Sequence, residues 1–325
     1  MFLEALEKVL TDHVTSAGIR RIEAGESANG MWQPIEAAGF LDLMLPEERG
    51  GAGLPLPDLF VILQCLGRHA VPLPVAQAIV ARALVGAEAA LPGGMLSIAA
   101  QLQHQADGQW CCRNVPGGSL VAHVLVADAD ALLLLDCAAA HREAVGDQRN
   151  HTADLLWRDL NPILRVERGG GQLLPFVAAM SAALLSGAMQ RTFDMALDHC
   201  NMRVQFGKAI GKFQALQQQL SVMAEHVLAA SIAAEAAFRA DGGAPAPLAA
   251  AVAKSRTSEA AALVAATAHA VHGAIGMTDE FDLGLLTRRL HEWRTAYGAE
   301  HFWNLHIGQQ VLASQKTLVE LVQAV

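Results

Sequence analysis

Two stretches of the chain carry residue types at spacings suited to an anionic ligand. The first runs from Arg203 to Leu220, RVQFGKAIGKFQALQQQL. Gly207 and Gly211 interrupt a helical pattern there, leaving Arg203 at one edge of a connection and Gln214 at the other. Arginine presents a rigid planar fork of donors matched to phosphate. Free amides at the start of the following helix favour an anion as well. A turn between helices with a solvated arginine is the competing reading of the same spacing. The second stretch, HAVHGAIGMTDEFDLGLLTRR, runs from His269 to Arg289. Gly273 and Gly276 permit the close backbone approach that a pyrophosphate or an adenine ring requires. A helix C-cap followed by a turn accounts for the same two glycines.

Helices must position both stretches. From about residue 172 onward alanine, the best helix former, is very frequent. The pattern predicts helices over 173–201, 212–240, 246–274 and 284–296, and another from about 299. GGAPAP (242–247) reads as a connection with Pro247 near a helix start. Residues 1 to about 90 also read as helical, with Ile19, Ile22, Met31, Trp32, Ile35 and Ala38 at three- and four-residue steps. The Gly- and Pro-rich 45–58 stretch is a loop, Asp58 is placed to cap the next helix, and Pro72 and Pro74 end it. Between about 95 and 167 Val and Leu dominate, Gly117-Gly118 punctuate, and Asp128 and Asp130 stand where a turn belongs, so short strands forming a small sheet are expected. The fold class is mainly α with a small β domain: a helical region over 1–94, a β region over 95–167 and a helical bundle over 168–325.

Composition narrows the function classes. The 325 residues carry a net charge of 23 − 32 = −9; 53% are hydrophobic and 17% charged, against roughly 25% charged in an ordinary globular domain. So apolar a chain is not disordered; it enters a membrane or buries extra surface against other subunits. The longest uncharged stretch, GGGQLLPFVAAMSAALLSGAMQ between Arg168 and Arg191, is long enough for a bilayer. Its Gly, Pro, Gln, Ser and Ala content predicts a buried interface helix instead, and no membrane span. The N-terminus carries Glu4 and Glu7 without a basic region and cleavage site, so no signal peptide is expected. An acidic sum with no Lys/Arg run argues against nucleic acid. The five cysteines show no CxxC or Cys/His metal spacing, which predicts free buried thiols in a reducing cytoplasm and no metal.

Taken together, the motifs resemble the C-terminal domain of the acyl-CoA dehydrogenase family of flavoproteins. The residues that carry the resemblance are Arg203, Phe206, Gly207, Ile210, Phe213 and Gln214, then His272-Gly273-Ala274-Ile275-Gly276, Glu280-Phe281 and Arg288-Arg289. Trp32, Gly39-Phe40, Leu45-Pro46-Glu47, Gly50-Gly51 and Gly53-Leu54 are similar to that family's first helical domain. The resemblance implies a helical N-terminal domain, a middle β domain and a C-terminal four-helix domain. It implies FAD as cofactor and an acyl-CoA thioester as substrate: a general base removes the α proton while the β hydrogen leaves as hydride to the flavin. Residues implied to meet FAD, across a subunit boundary, are Arg203, Gln205, Phe206, Gln214, His272, Gly273, Ala274 and Gly276. An electron-transfer flavoprotein is the implied acceptor.

The chain departs from that pattern at the chemistry. The family's catalytic Glu precedes a Gly after the Arg-rich helix; here Tyr297 stands before Gly298. Tyrosine, with an ordinary pKa of about 10, is a poor base at neutral pH. The alternative position, on the first helix of the C-terminal domain, has no counterpart, because no Asp or Glu lies between Arg168 and Asp194. The nearest carboxylates are Glu280, Asp282, Glu292 and Glu300, each with a competing role as ion-pair partner of Arg288, Arg289 or Arg294; His272 and His301 are further candidates. Ala270 replaces the Gln before the Gly segment, and Ala299-Glu300 replace the Thr-Ser after the loop. The short β region lacks the Thr-Glu-Pro and Trp-Ile-Thr-Asn stretches.

The catalytic base is therefore unassigned, and three functions stay open. The chain is the shorter subunit of a heterotetrameric dehydrogenase, completing an FAD site for a base-supplying partner. Or it is a self-sufficient homo-oligomer with an unusual base such as Glu280 or Glu300. Or it is a non-catalytic scaffold that has lost FAD. A short β region would widen the acyl pocket and favour a bulky, sterol-like chain in β-oxidation.

Overall fold

In the N-terminal third, apolar residues at helical spacing form five helices: α1 (Phe2–His13), α2 (Ser16–Glu23), α3 (Asn29–Ala37), α4 (Leu56–Arg68) and α5 (Val75–Val85). The computed structural model describes residues 2–86, 89, 91–167, 169–240, 243–314 and 317–322. Arg168, at the expected start of the third region, and Gly242, in the expected connection, lie outside the described residues. Thr15 caps α2, its side chain accepting the Gly18 amide at 3.1 Å. Asp58 does not cap α4. The helix opens one turn earlier at Pro55, and Asp58 falls in its first turn, where a negative charge complements the helix dipole. Nor do Pro72 and Pro74 end it: α4 stops at Arg68, and Ala70 turns the chain with φ 50°.

The middle region folds into two four-stranded sheets rather than one. The strands are β1 (Leu96–Ile98), β2 (Gln103–His104), β3 (Trp110–Val115), β4 (His123–Asp128), β5 (Ala131–Asp136), β6 (His141–Ala144), β7 (Ala153–Trp157) and β8 (Leu164–Val166). One sheet has the order β1-β4-β5-β8, with β1 parallel to β4; the other is the antiparallel β2-β3-β7-β6. The turn at Ala129-Asp130 joins β4 to β5 in register, Asp128 facing Ala131. Successive residues of both strands are buried, which is why Val and Leu run on without alternation.

The C-terminal half is a bundle of α6 (Gly170–Met202), α7 (Gln214–Ala236), α8 (Pro247–His272) and α9 (Leu283–Thr295), with α10 (Glu300–Ala313) against α8 and a last short α11 (Leu318–Val322). Between α6 and α7 the expected bare connection holds a small hairpin, β9 (Val204–Gln205) and β10 (Lys208–Ala209). Its two-residue turn has positive φ at both Phe206 (51°) and Gly207 (79°), the geometry that matches strand twist in a tight hairpin.

Among the described residues two helical segments are long and apolar enough to cross a membrane, 170–202 and 247–277; 83% and 44% of their most apolar stretches are buried within the protein. For α6 that apolarity serves the core. It reaches from the bundle to the N-terminal helices and meets α4 backbone to backbone at two glycines. A Cβ on Gly67 would stand 2.1 Å from the Leu184 carbonyl oxygen, and one on Gly187 would stand 1.9 Å from that of Gln64. All five cysteines are free and buried.

Candidate functional site

Where α6 ends, the hairpin begins and α8 gives way to a 3-10 turn, three chain segments enclose a cavity of about 630 Å³. Arg203, Gln205 and Ile210 come from the hairpin region, His199 from the last turn of α6, and Val271 to Ile275 from the end of α8; Phe281 completes the wall. The positions foreseen from the sequence thus divide. Arg203, Gln205, His272, Gly273 and Ala274 share this cavity. Phe206, Gln214 and Gly276 stand outside it. Phe206 is 90% exposed at the hairpin tip, and Gln214 is exposed at the start of α7. Gly276 is buried behind the wall, where a Cβ would stand 2.8 Å from that of His272 and 3.1 Å from Leu283 Cδ2. Its missing side chain makes room for His272 rather than for a ligand, which corrects the reading of Gly276 as a point of close approach.

Gly273 is different. It leaves α8 with φ 63°, and a Cβ there would meet nothing within 4 Å. Its backbone is open to an incoming group and needs glycine for conformation alone. Arg203 is exposed and forms no ion pair among the described residues. His199 and His272 stack with ring centroids 4.5 Å apart, and His272 meets Phe281 at 5.1 Å. Burial, then the neighbouring His272 and Arg203, pushes His199 below the ordinary histidine value, so it stays neutral at physiological pH. A cavity with a free guanidinium, open backbone and no carboxylate in its wall fits a phosphate-bearing cofactor. His199 and Phe281 were missed from sequence. The signal for His199 was its place one turn before Arg203 on the same helix.

The residues around Tyr297 are arranged in the opposite way. Tyr297 is buried, and its hydroxyl donates to the carbonyl of Ile98 on β1 at 3.0 Å. Burial pushes its proton loss well above the ordinary tyrosine value, so the hydroxyl is held in its protonated form. The neighbouring cavity, lined by Gln77, Leu184, Glu292 and Trp293 among others, holds about 20 Å³, room for one water.

Three of the four candidate carboxylates are held by cations. Glu300 pairs with Arg294, Nε to Oε2 at 3.0 Å, and this guanidinium holds its carboxyl below the usual range. Asp282 accepts from Ser16 at 2.6 Å and from Arg20 at 2.8 Å. Glu292 pairs with Arg289, and burial raises its proton affinity. Glu280 is exposed. Glu23, from α2, accepts from Arg288 at 2.7 Å and Arg289 at 2.8 Å, a pairing across 265 residues with no sequence signal. Lys254 was also missed. Fully buried on α8, it donates to the carbonyls of Trp293 (3.0 Å) and Arg294 (2.8 Å) and to Ser258 (2.9 Å), closing the C-terminus of α9 just before Tyr297. Burial pushes its pKa down to about 7. Among the described residues no group of three His, Cys, Asp or Glu is placed to hold a metal.

Comparisons with known proteins agree with this architecture. Residues 1–91 match the family profile "Acyl-CoA dehydrogenase, N-terminal domain", and residues 172–312 match "Acyl-CoA dehydrogenase, C-terminal domain". The acyl-CoA dehydrogenase IpdE2 of Mycobacterium tuberculosis is 30% identical over 299 residues, covering 90% of each chain. The acyl-CoA dehydrogenase FadE34 of the same organism is 32% identical over 304 residues, 85% of this chain and 42% of that longer protein. Among solved structures, the ChsE4-ChsE5 complex from Mycobacterium tuberculosis superposes with a TM-score of 0.83 at 19% identity, covering 97% of both chains. The Tcur3481-Tcur3483 steroid ACAD gives 0.83 at 24% identity, covering 95% of this chain and 96% of that one.

Proposed function

Because the chain belongs to the acyl-CoA dehydrogenase family, we propose that it is a subunit of an FAD-dependent dehydrogenase, completing a partner's FAD site rather than housing the reaction beside its own Tyr297. One contrast carries this reading: Arg203, His272 and Gly273 line a cavity of about 630 Å³, whereas Tyr297 is buried with its hydroxyl donated to the carbonyl of Ile98.

When bound, FAD supplies the hydride acceptor for α,β-dehydrogenation of an acyl-CoA thioester. Arg203 binds and orients the diphosphate with charge-assisted donors. Gly273, open and left-handed, lets the backbone come close to the same group. Neither Tyr297, whose hydroxyl is committed to Ile98, nor Glu300, committed to Arg294, is free to take the substrate's proton. The partner supplies that base.

An assembly also answers for the apolar surface. Leu228 and Ile232 on α7 and Phe302, Leu305 and Leu312 on α10 are all exposed, Leu312 by 88%. Faces of this kind are covered in stable complexes. The complexes named among the solved structures support a second dehydrogenase of the same family as partner, and the steroid enzyme among them supports a ring-bearing acyl chain as substrate.

The test is to purify the chain alone and with a longer homologue, recording visible absorbance, mass and acyl-CoA dehydrogenation. Alone it is expected colourless and inactive; paired, yellow and active. A yellow, active homo-oligomer overturns the proposal in favour of a self-sufficient enzyme. Failure to retain FAD in any pairing favours a scaffold.

A further inference from the structure

A second cavity, of about 380 Å³, lies where α1, α2 and the end of α4 meet α6 and the start of α9. It shares no residue with the cavity at Arg203. Part of its wall is apolar: Val14, Ile19, Leu285 and Leu286 are all buried. Its charged groups come from distant parts of the chain, Glu7 from α1, Arg68 from α4, Arg191 from α6 and Asp282 from the start of α9.

Two of these four charges are answered within the fold. Arg68 donates to Asp194 at 3.2 Å. Asp282 accepts from Ser16 at 2.6 Å and from Arg20 at 2.8 Å. The other two are not answered: among the described residues the side chains of Glu7 and Arg191 form no hydrogen bond or ion pair. Both act on His69, which also lines the cavity. Burial, with Arg68 and Arg191 adding and Glu7 opposing, holds His69 below the ordinary histidine value. Its ring is therefore neutral at physiological pH and cancels neither charge.

One cation and one carboxylate thus remain beside an apolar wall. A simple anion meets repulsion from Glu7, and a simple cation meets it from Arg191. A ligand carrying both signs answers both. The fork of Arg191 suits a carboxylate, Glu7 accepts charge-assisted hydrogen bonds from an ammonium, and the apolar wall favours an aliphatic body between them.

We infer that this cavity binds a zwitterion with an apolar body: carboxylate on Arg191, ammonium on Glu7, and the body against Ile19 and Leu286. The chemical class is a free amino acid with an aliphatic side chain. The inference stands apart from the FAD reading, because the two cavities have no residue in common.

The test titrates the full chain with L-leucine, 4-methylpentanoate and 3-methylbutylamine by calorimetry, for the wild type, Glu7→Gln, Arg191→Gln and Arg203→Ala. The two single-charged probes keep the branched body of leucine and remove one head group each. The wild type is expected to bind leucine more tightly than either. Glu7→Gln and Arg191→Gln are each expected to weaken leucine about ten-fold, the loss of one charge-assisted contact. Glu7→Gln is expected to strengthen 4-methylpentanoate, which no longer faces a carboxylate. Arg203→Ala is expected to leave leucine unchanged. Met195 lines the same cavity, so its methyl resonance in the wild type gives a readout that no variant's folding can affect: leucine is expected to move it. An equal affinity for leucine and 4-methylpentanoate overturns the role of Glu7 and with it the zwitterion. An unchanged leucine affinity in Arg191→Gln, or a loss in Arg203→Ala, overturns the placement. A Met195 resonance unmoved by leucine at millimolar concentration overturns the site. None of these results touches the proposed FAD site.

Discussion

The hydroxyl of Tyr297 reaches 199 residues back along the chain to the carbonyl of Ile98, at 3.0 Å. This bond ties the turn between α9 and α10 to the first strand of the β region. In the position where the family resemblance implies a base, this chain carries a latch. Tyr297→Phe is expected to cost about 1–2 kcal/mol of stability, because the buried carbonyl loses its donor. Urea unfolding of the variant measures it. Flavin content of an active assembly is expected to be unchanged, since the latch lies apart from the Arg203 cavity.

Arg203 is expected to govern cofactor retention. Its replacement by alanine removes charge-assisted donors worth about 1.5–3 kcal/mol, roughly 10- to 100-fold in affinity. Equilibrium dialysis of FAD against the assembly checks this, and unchanged retention would remove Arg203 from the site.

The contact of α4 on α6 has no room for a methyl group. Gly187→Ala places a Cβ 1.9 Å from the Gln64 carbonyl oxygen, so the two helices must separate, at a cost of about 3 kcal/mol. Gly30→Ala, in α3 with nothing within 4 Å, is the control, expected neutral or stabilising by about 0.5 kcal/mol. Thermal unfolding of the two variants compares them directly.

Lys254 closes the end of α9 with three hydrogen bonds. Lys254→Met keeps the volume of the stem and removes all three, leaving two helix-terminal carbonyls buried. A loss of about 3 kcal/mol is expected, together with faster proteolysis between Arg294 and Glu300, measured by cleavage-site mapping.

Glu300 gives a pH signature. Its pairing with Arg294 lowers its pKa in the folded state. A depressed carboxylate contributes stability above its unfolded pKa and loses it as pH falls through the folded value. The stability difference between wild type and Glu300→Gln is therefore expected to be fully present above the ordinary glutamate value of about 4.3 and to be lost as pH falls below it. The pair is partly exposed, so the difference stays below about 1 kcal/mol. Denaturant titrations at several pH values would show a flat difference if Arg294 did not hold Glu300.

The order of helix, strand and helix was legible because periodicity and composition are local properties. Ala-rich runs announced α6 to α8, Val-Leu runs announced β4 and β5, and Asp128 and Asp130 flagged the turn between them. The Arg203 and Gly273 stretches could also be read from residue type and spacing, and the departure at Tyr297 only from the family resemblance. Contacts between distant segments could not. Nothing local ties Tyr297 to Ile98, Glu23 to Arg288 and Arg289, or Lys254 to the end of α9, since each partner lies on a separately folding element. Gly273 and Gly276 look alike in sequence, yet one faces a cavity and the other accommodates a histidine. The sequence by itself determined which elements form and in what order. Tertiary structure decided which space is open and which is filled, because volume and hydrogen-bond satisfaction depend on every segment that converges on a point.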